Sequence, residues 1–115
     1  MATLIRPALV LFFLLPRVVF AEEMRSAWYE TGTRTASGAP FNPDNPVICA
    51  HRTLPLHTLL YVVNRKNGKN AWLQVLDRGP VSHSLDLDVS RAAAKQLGFI
   101  KSGVATLDVV IYPPR

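Results

Sequence analysis

At 115 residues, with 13 Lys and Arg against 8 Asp and Glu, the chain has room for one domain and a formal net charge of +5. The basic residues are spread rather than clustered, which argues against a nucleic-acid binder. Cys49 is the one cysteine, so an intrachain disulfide is excluded and packing and sheet pairing must hold the domain.

The first 21 residues read as a leader. Met1–Pro7 carries one positive charge, Arg6, and Ala8–Leu15 is an unbroken apolar run that Pro16 ends. Val19-Phe20-Ala21 then sets modest or small residues before Glu22, the pattern of a secretory cleavage site. A membrane span would need ~20 apolar residues, and Arg17 closes the run too early. The expectation is a signal peptide over 1–21, a domain over 22–115, and a periplasmic or secreted product without a membrane anchor. Without the leader, 94 residues remain (115 less 21), with net charge +3 because Arg6 and Arg17 are gone. That balance suits an anionic envelope and selects no particular partner. Cys49, in the apolar Val47–Ala50, reads as a buried inert thiol, and with Glu22 after the cut it is not placed for lipid attachment.

Beyond the leader, short strands alternate with turns. Ser26–Tyr29 predicts a first strand, and Thr31–Asn45, rich in Thr, Ser, Gly, Pro and Asn, an irregular but ordered loop. Leu59–Asn64 is a β-branched and aromatic run, Lys66-Asn67-Gly68 a hairpin turn, and Ala71–Leu76 the returning strand. Leu85–Val89 alternates apolar and acidic residues, which predicts one buried and one wet face. Asp86 and Asp88 therefore read as wet-face or turn-capping groups. Arg91–Leu97 predicts the single helix, with Ser90 as its cap, Gly98 as its stop and Phe99 as the apolar residue after it. Ala105–Tyr112 predicts a last strand before Pro113-Pro114. Such a series predicts a mostly-β barrel.

Five short motifs run through these elements in order: Thr35-Ala36-Ser37-Gly38, Ala50-His51-Arg52-Thr53-Leu54-Pro55, Asn67-Gly68, Asp77-Arg78-Gly79-Pro80 and Asp88-Val89-Ser90-Arg91-Ala92-Ala93-Ala94. The series resembles the rare lipoprotein A family from about Trp28 to Tyr112. The resemblance implies a single six-stranded double-psi β-barrel with one short helix, related in fold to expansins. It also implies lytic transglycosylase activity on peptidoglycan, in some members with a preference for strands lacking stem peptides. The implied partners are peptidoglycan glycan strands, met by a monomer.

Glycoside cleavage needs an acid for the leaving oxygen and an attacker at the anomeric carbon. A lytic transglycosylase uses the sugar's own 6-hydroxyl, so one carboxyl acting first as acid and then as base can suffice. Asp77, at the end of a strand and the start of a Gly-Pro turn, is the candidate; an Asp in that place by itself more commonly caps the turn, and the resemblance is what favours the catalytic role. His51 is the second catalytic candidate, expected to hydrogen-bond and orient Asp77. Tyr29, Thr35, Ser37 and Arg78 are candidates for substrate contact, with Arg78 open to a structural ion pair instead. Trp28 reads as core before groove. His51, His57, His83 and Cys49 match no zinc spacing, so neither metal nor cofactor is expected.

The chain departs from the family's pattern in two places. Ala39 stands where the Thr-Ala-Ser-Gly motif is normally followed by a Glu implicated in catalysis, and Asp44 is the nearest acid after it. His57 stands where the Leu-Pro-x-Gly-Thr turn usually has Gly. The chain is read as the barrel alone, without the C-terminal glycan-binding repeats of many relatives. Beside the enzyme stand a non-catalytic, expansin-like wall-binding or wall-loosening module and, third, a secreted factor that binds a protein.

Overall fold

A computed structural model describes Phe20–Arg115. Most of the expected leader, residues 1–19, lies outside the described residues. The strands are β1 (Phe20–Tyr29), β2 (Ile48–Ala50), β3 (Leu59–Asn64), β4 (Asn70–Asp77), β5 (Leu87–Ser90) and β6 (Val104–Tyr112), with helix α1 (Arg91–Leu97) between the last two. They close into a six-stranded barrel in the order β1-β5-β2-β4-β3-β6. The fold is the mixed barrel with one short helix that the motifs imply. Closure leaves no unpaired sheet edge.

Alternation along each strand decides what fills the barrel. In β4, Ala71, Leu73 and Val75 are buried while Asn70 and Trp72 face outward. The core gathers Met24, Leu60, Val62, Leu87, Val89, Leu107 and Val109, and α1 closes it with Ala93, Ala94 and Leu97. Cys49 is fully buried in this core, and burial pushes its thiol well above the ordinary range, so it is inert as expected.

The helix occupies the predicted residues. Ser90 Oγ accepts from Ala93 N at 3.1 Å, and Gly98 ends the helix in the left-handed conformation at φ 76°. A Cβ on Gly98 would come within 2.7 Å of Asn67 Nδ2, which is donating to the Leu97 carbonyl. The hairpin turn and the helix end are thus fitted to each other. Buried Phe99 donates its amide to Ala94 O at 3.0 Å.

β4 extends the sequence reading by one residue at each end, to Asn70–Asp77, and β6 by one at its start, to Val104–Tyr112; three larger differences stand beside these. β1 begins at Phe20 rather than Ser26, because β6 is long enough to pair it from Phe20 to Ala27. The expected cleavage after Ala21 therefore falls inside this strand. β5 begins at Leu87 rather than Leu85, since Leu85 N closes a turn onto Ser82 O at 3.2 Å. β2 was not expected as a strand: three apolar residues are too few to show a period, and it forms because β4 and β5 lie on either side of it. Among the described residues no helix is long and apolar enough to cross a membrane.

Candidate active site

Ala50, the last residue of β2, is the register partner of Asp77 in β4 on one side and of Asp88 in β5 on the other. A register shift between Cys49 and Ala50 produces the Asp77 pairing. β1 runs parallel to β5 on the far side, with Ala27 opposite Asp88 and Tyr29 opposite Ser90. Two carboxyl groups and a phenol, from β4, β5 and β1, thereby meet around Ala50 of β2 at one end of the barrel.

Asp77 receives three donors. The Tyr29 hydroxyl donates to Oδ2 at 3.2 Å, and the amides of Ala36 and Arg78 donate to Oδ1 at 3.0 and 2.9 Å. The Arg78 contact is the turn cap that Asp makes before Gly-Pro; the other two are tertiary. Tyr29 stacks on Phe41, with centroids 4.5 Å apart and planes at 18°. Burial, then the charge and hydrogen bond of Asp77, push the Tyr29 hydroxyl far above the usual phenol range, so it stays a donor.

The loop over 31–45 is ordered and brings Ala36 to this place. Ser37 N donates to Leu76 O at 2.9 Å, and Thr35 N to Ala39 O at 2.9 Å. The Thr35 and Ser37 hydroxyls bond each other at 2.7 Å, and Thr35 Oγ1 also donates to Ala39 O at 2.8 Å. Proposed above for substrate, these two hydroxyls are engaged in bracing the loop that presents the Ala36 amide. Asp44 does not replace the missing Glu, because it pairs with Arg91, which also holds Glu30.

Asp88 is the functional candidate that sequence reasoning missed. The alternation of β5 correctly put Leu87 and Val89 inside, and so put Asp88 on the other face. In the closed barrel that face lies beside Asp77 and is half-buried. Burial, and then the charge of Asp77, raise the Asp88 carboxyl above its ordinary value. A Cβ on Gly79, at φ 141°, would come within 3.8 Å of Ala50 Cβ and 3.9 Å of Asp88 Oδ2. The Asp-Arg-Gly-Pro loop thus lies directly on Asp88. The one available signal was the Asp88-Val89-Ser90 motif itself. Asp86 behaves as a cap, accepting from Arg25 N at 2.9 Å, with Arg52 at 4.0 Å.

His51 corrects an expectation. Its Nδ1 accepts from the amides of Thr53 at 3.1 Å and Leu54 at 3.0 Å, and only its backbone N reaches Asp77, at the carbonyl. The imidazole caps the following turn instead of orienting the Asp77 carboxyl. Burial first, then the charges of Arg52 and Arg78, lower its pKa from 6.5. Arg78 works on the same turn, donating to the carbonyls of His51 at 3.1 Å and Leu54 at 2.7 Å. Trp28 packs against the core and donates Nε1 to Ile100 O at 3.4 Å.

A cavity of about 640 Å³ lies elsewhere, among Asn64, Lys66, Phe99 and Lys101. No carboxyl lines it, so it offers no acid for glycoside chemistry. The Asp77–Asp88–Tyr29 cluster is the better site on chemical grounds.

Residues 21–109 match the family model described as lytic transglycolase. The chain belongs to the lytic transglycolase family. Its relatives include the probable endolytic peptidoglycan transglycosylase RlpA of Aquifex aeolicus, 44% identical over 75% of this chain and 39% of the relative. The endolytic peptidoglycan transglycosylases RlpA of Neisseria meningitidis serogroup A and Rickettsia bellii are 37% and 40% identical, each over 78% of this chain and over 38% and 42% of themselves. The chain thus spans about two fifths of the length of the curated relatives it matches. Among solved structures, Streptomyces papain inhibitor (SPI) is similar with a TM-score of 0.66 at 18% identity, over 84% of this chain and 98% of that one, a likeness of fold.

The family's usual Gly at position 57 now has a physical reason. His57 sits at φ 76°, a left-handed conformation that Gly adopts without cost, while its amide donates to Val75 O at 2.7 Å.

Proposed function

We propose that this barrel is an endolytic peptidoglycan transglycosylase domain, a lyase that cuts glycan strands to 1,6-anhydro products. The observation that carries the reading is Asp77, held by the Tyr29 hydroxyl and the Ala36 amide beside the half-buried carboxyl of Asp88. In this reading Asp88 keeps a proton in the carboxyl pair toward higher pH, and Asp77 exchanges it with the glycan. The proton passes to the leaving glycosidic oxygen as the C1–oxygen bond breaks. The 6-hydroxyl of the same sugar closes on C1 and returns its proton to the pair, so no water is consumed. Tyr29 and the Ala36 amide hold the carboxyl, and His51 and Arg78 are positioning residues that fix the 51–54 turn. The leader over 1–21 would deliver the domain to the periplasm or outside the cell, as a monomer.

The test is incubation of the purified protein with sacculi and mass analysis of what dissolves. Soluble fragments ending in 1,6-anhydro sugar support the reading; intact sacculi carrying bound protein refute turnover.

Ala39 favours the second reading, a non-catalytic wall-binding module. If loss of the motif Glu silenced an enzyme, Ala39→Glu raises fragment release well above the natural sequence. Equal and measurable release from both proteins refutes the silenced-enzyme account and leaves the chemistry with Asp77 and Asp88.

A further inference from the structure

We propose a second glycan-binding surface on the outer wall of the barrel, formed by Tyr61, Trp72 and Tyr112, which takes the apolar ring faces of a glycan chain away from the Asp77 site. It rests on the glycan substrate argued above and concerns a different face of the protein. Tyr61 on β3 is the register partner of Trp72 on β4, and Leu59 on β3 pairs with both Gln74 on β4 and Tyr112 on β6. The Trp72 ring lies 5.1 Å from Tyr61 and 5.5 Å from Tyr112. Strands β4 and β6 are two spacings apart, roughly 10 Å. The Trp72 and Tyr112 rings therefore lean toward each other over β3 and form one continuous aromatic surface.

This surface is not core. Trp72 is 53% exposed and Leu59 42% exposed, on the face opposite the buried Leu60, Val62 and Leu73. A Trp, two Tyr and a Leu together on a wet face form a contiguous apolar patch of the kind that marks a binding surface. Among the described residues, the Trp72 indole N–H and the Tyr61 and Tyr112 hydroxyls make no hydrogen bond. Aromatic faces with unused donors at their edges match a sugar, which offers a C–H face and a rim of hydroxyls.

Size argues against a protein partner. A half-exposed Trp72 with the two partly buried Tyr rings offers at most roughly 300 Å², well short of the ~800 Å² per partner of a stable protein interface. Continuity argues for the glycan. Trp72 and Asp77 lie on the same strand, about 17 Å apart along β4. A polymer seated at Asp77 can drape over the barrel rim onto the rings, whereas a short fragment held at Asp77 does not reach them. The surface should therefore matter for whole sacculi and be dispensable for short glycans.

The experiment uses the Asp77→Asn chain, in which substrate survives, with and without Trp72→Ala and Tyr112→Ala, in co-sedimentation with purified sacculi. Relative to Asp77→Asn alone, adding the two aromatic changes should weaken binding about tenfold. The melting temperature should hold, and Trp72→Phe, which keeps a ring, should restore most of the binding. With Asp77 intact, Trp72→Ala should slow release from sacculi but not cleavage of short soluble glycans. A folded aromatic variant that binds sacculi within twofold of its parent overturns the proposal. So does a loss of binding that accompanies a dimer-to-monomer change in analytical ultracentrifugation, which would make the surface an interface between copies. If Asp77→Asn still cuts while the aromatic changes abolish binding, the catalytic assignment fails and this surface stands.

Discussion

Asp77 and Asp88 flank Ala50 from opposite sides, so two carboxyl groups 11 positions apart in sequence share one residue of β2 as their register partner. Their side chains interact through charge, and burial holds the Asp88 carboxyl protonated further up the pH scale than a free aspartate. The site owes its second carboxyl to this relationship and not to the motif position now held by Ala39.

Asp77→Asn keeps the shape and an acceptor for the Ala36 amide while removing the proton exchange. Removal of a positioned acid costs ~10²–10⁴ in rate. Anhydro-product release should fall into that range with the melting temperature unchanged within a few degrees. A folded variant that cuts like the parent removes Asp77 from the chemistry.

Asp88→Asn should act on both pH dependence and stability. A carboxyl whose folded pKa is raised above 3.8 contributes stability that is fully present below that value and is lost as pH rises through the folded pKa. The Asn variant escapes that loss, so its stability relative to the parent should improve as pH rises above 3.8. Melting curves at acid and neutral pH check the sign. Activity should fall, and the limb of the pH–rate profile set by proton loss should move to lower pH. A relative stability that does not change with pH would show that the Asp88 carboxyl is not perturbed by folding.

His51 runs the other way. Its Nδ1 must stay unprotonated to accept from Thr53 and Leu54, and its folded pKa lies below 6.5. The stability it contributes is present above 6.5 and is lost as pH falls through the folded pKa. His51→Ala should lower stability at neutral pH by about 1 kcal/mol through the lost turn cap, and the deficit should shrink on acidification. Its effect on cleavage should be smaller than that of Asp77→Asn, since the imidazole acts on the turn and not on the glycan. An equal loss in both variants would place His51 in the proton path.

His57→Gly should stabilise the protein. A non-glycine residue in the left-handed region costs ~1–2 kcal/mol, and the flexibility that Gly adds to the unfolded chain takes back ~0.4–1 kcal/mol. The His57 side chain is exposed, so little packing is lost. A net gain of up to about 1.5 kcal/mol is expected in chemical denaturation, with none for His57→Ala, which keeps the strain. Equal stability in all three proteins would show that the turn relaxes around His57.

Several features were legible because they are local. Arg91–Leu97 is a helix because propensity, Ser90 and Gly98 agree within nine consecutive residues. The β3–β4 hairpin is legible because Asn67-Gly68 places left-handed backbone between two alternating runs. Motif order was enough to imply the closed barrel, and Asp77 was visible as the acid before a Gly-Pro turn.

Tertiary structure decided what depends on strands distant in sequence. β2 shows no period of its own and exists because β4 and β5 lie on either side of it. Alternation assigned Asp88 to the wet face, and only barrel closure turned that face toward Asp77 and half-buried it. The Thr35 and Ser37 hydroxyls, the Arg78 guanidinium and the His51 ring all carry groups able to meet a glycan, yet each is drawn to nearer hydroxyl or backbone partners. A chain's residue types determine which hydrogen bonds are possible; which of them form depends on distances that only the closed barrel sets.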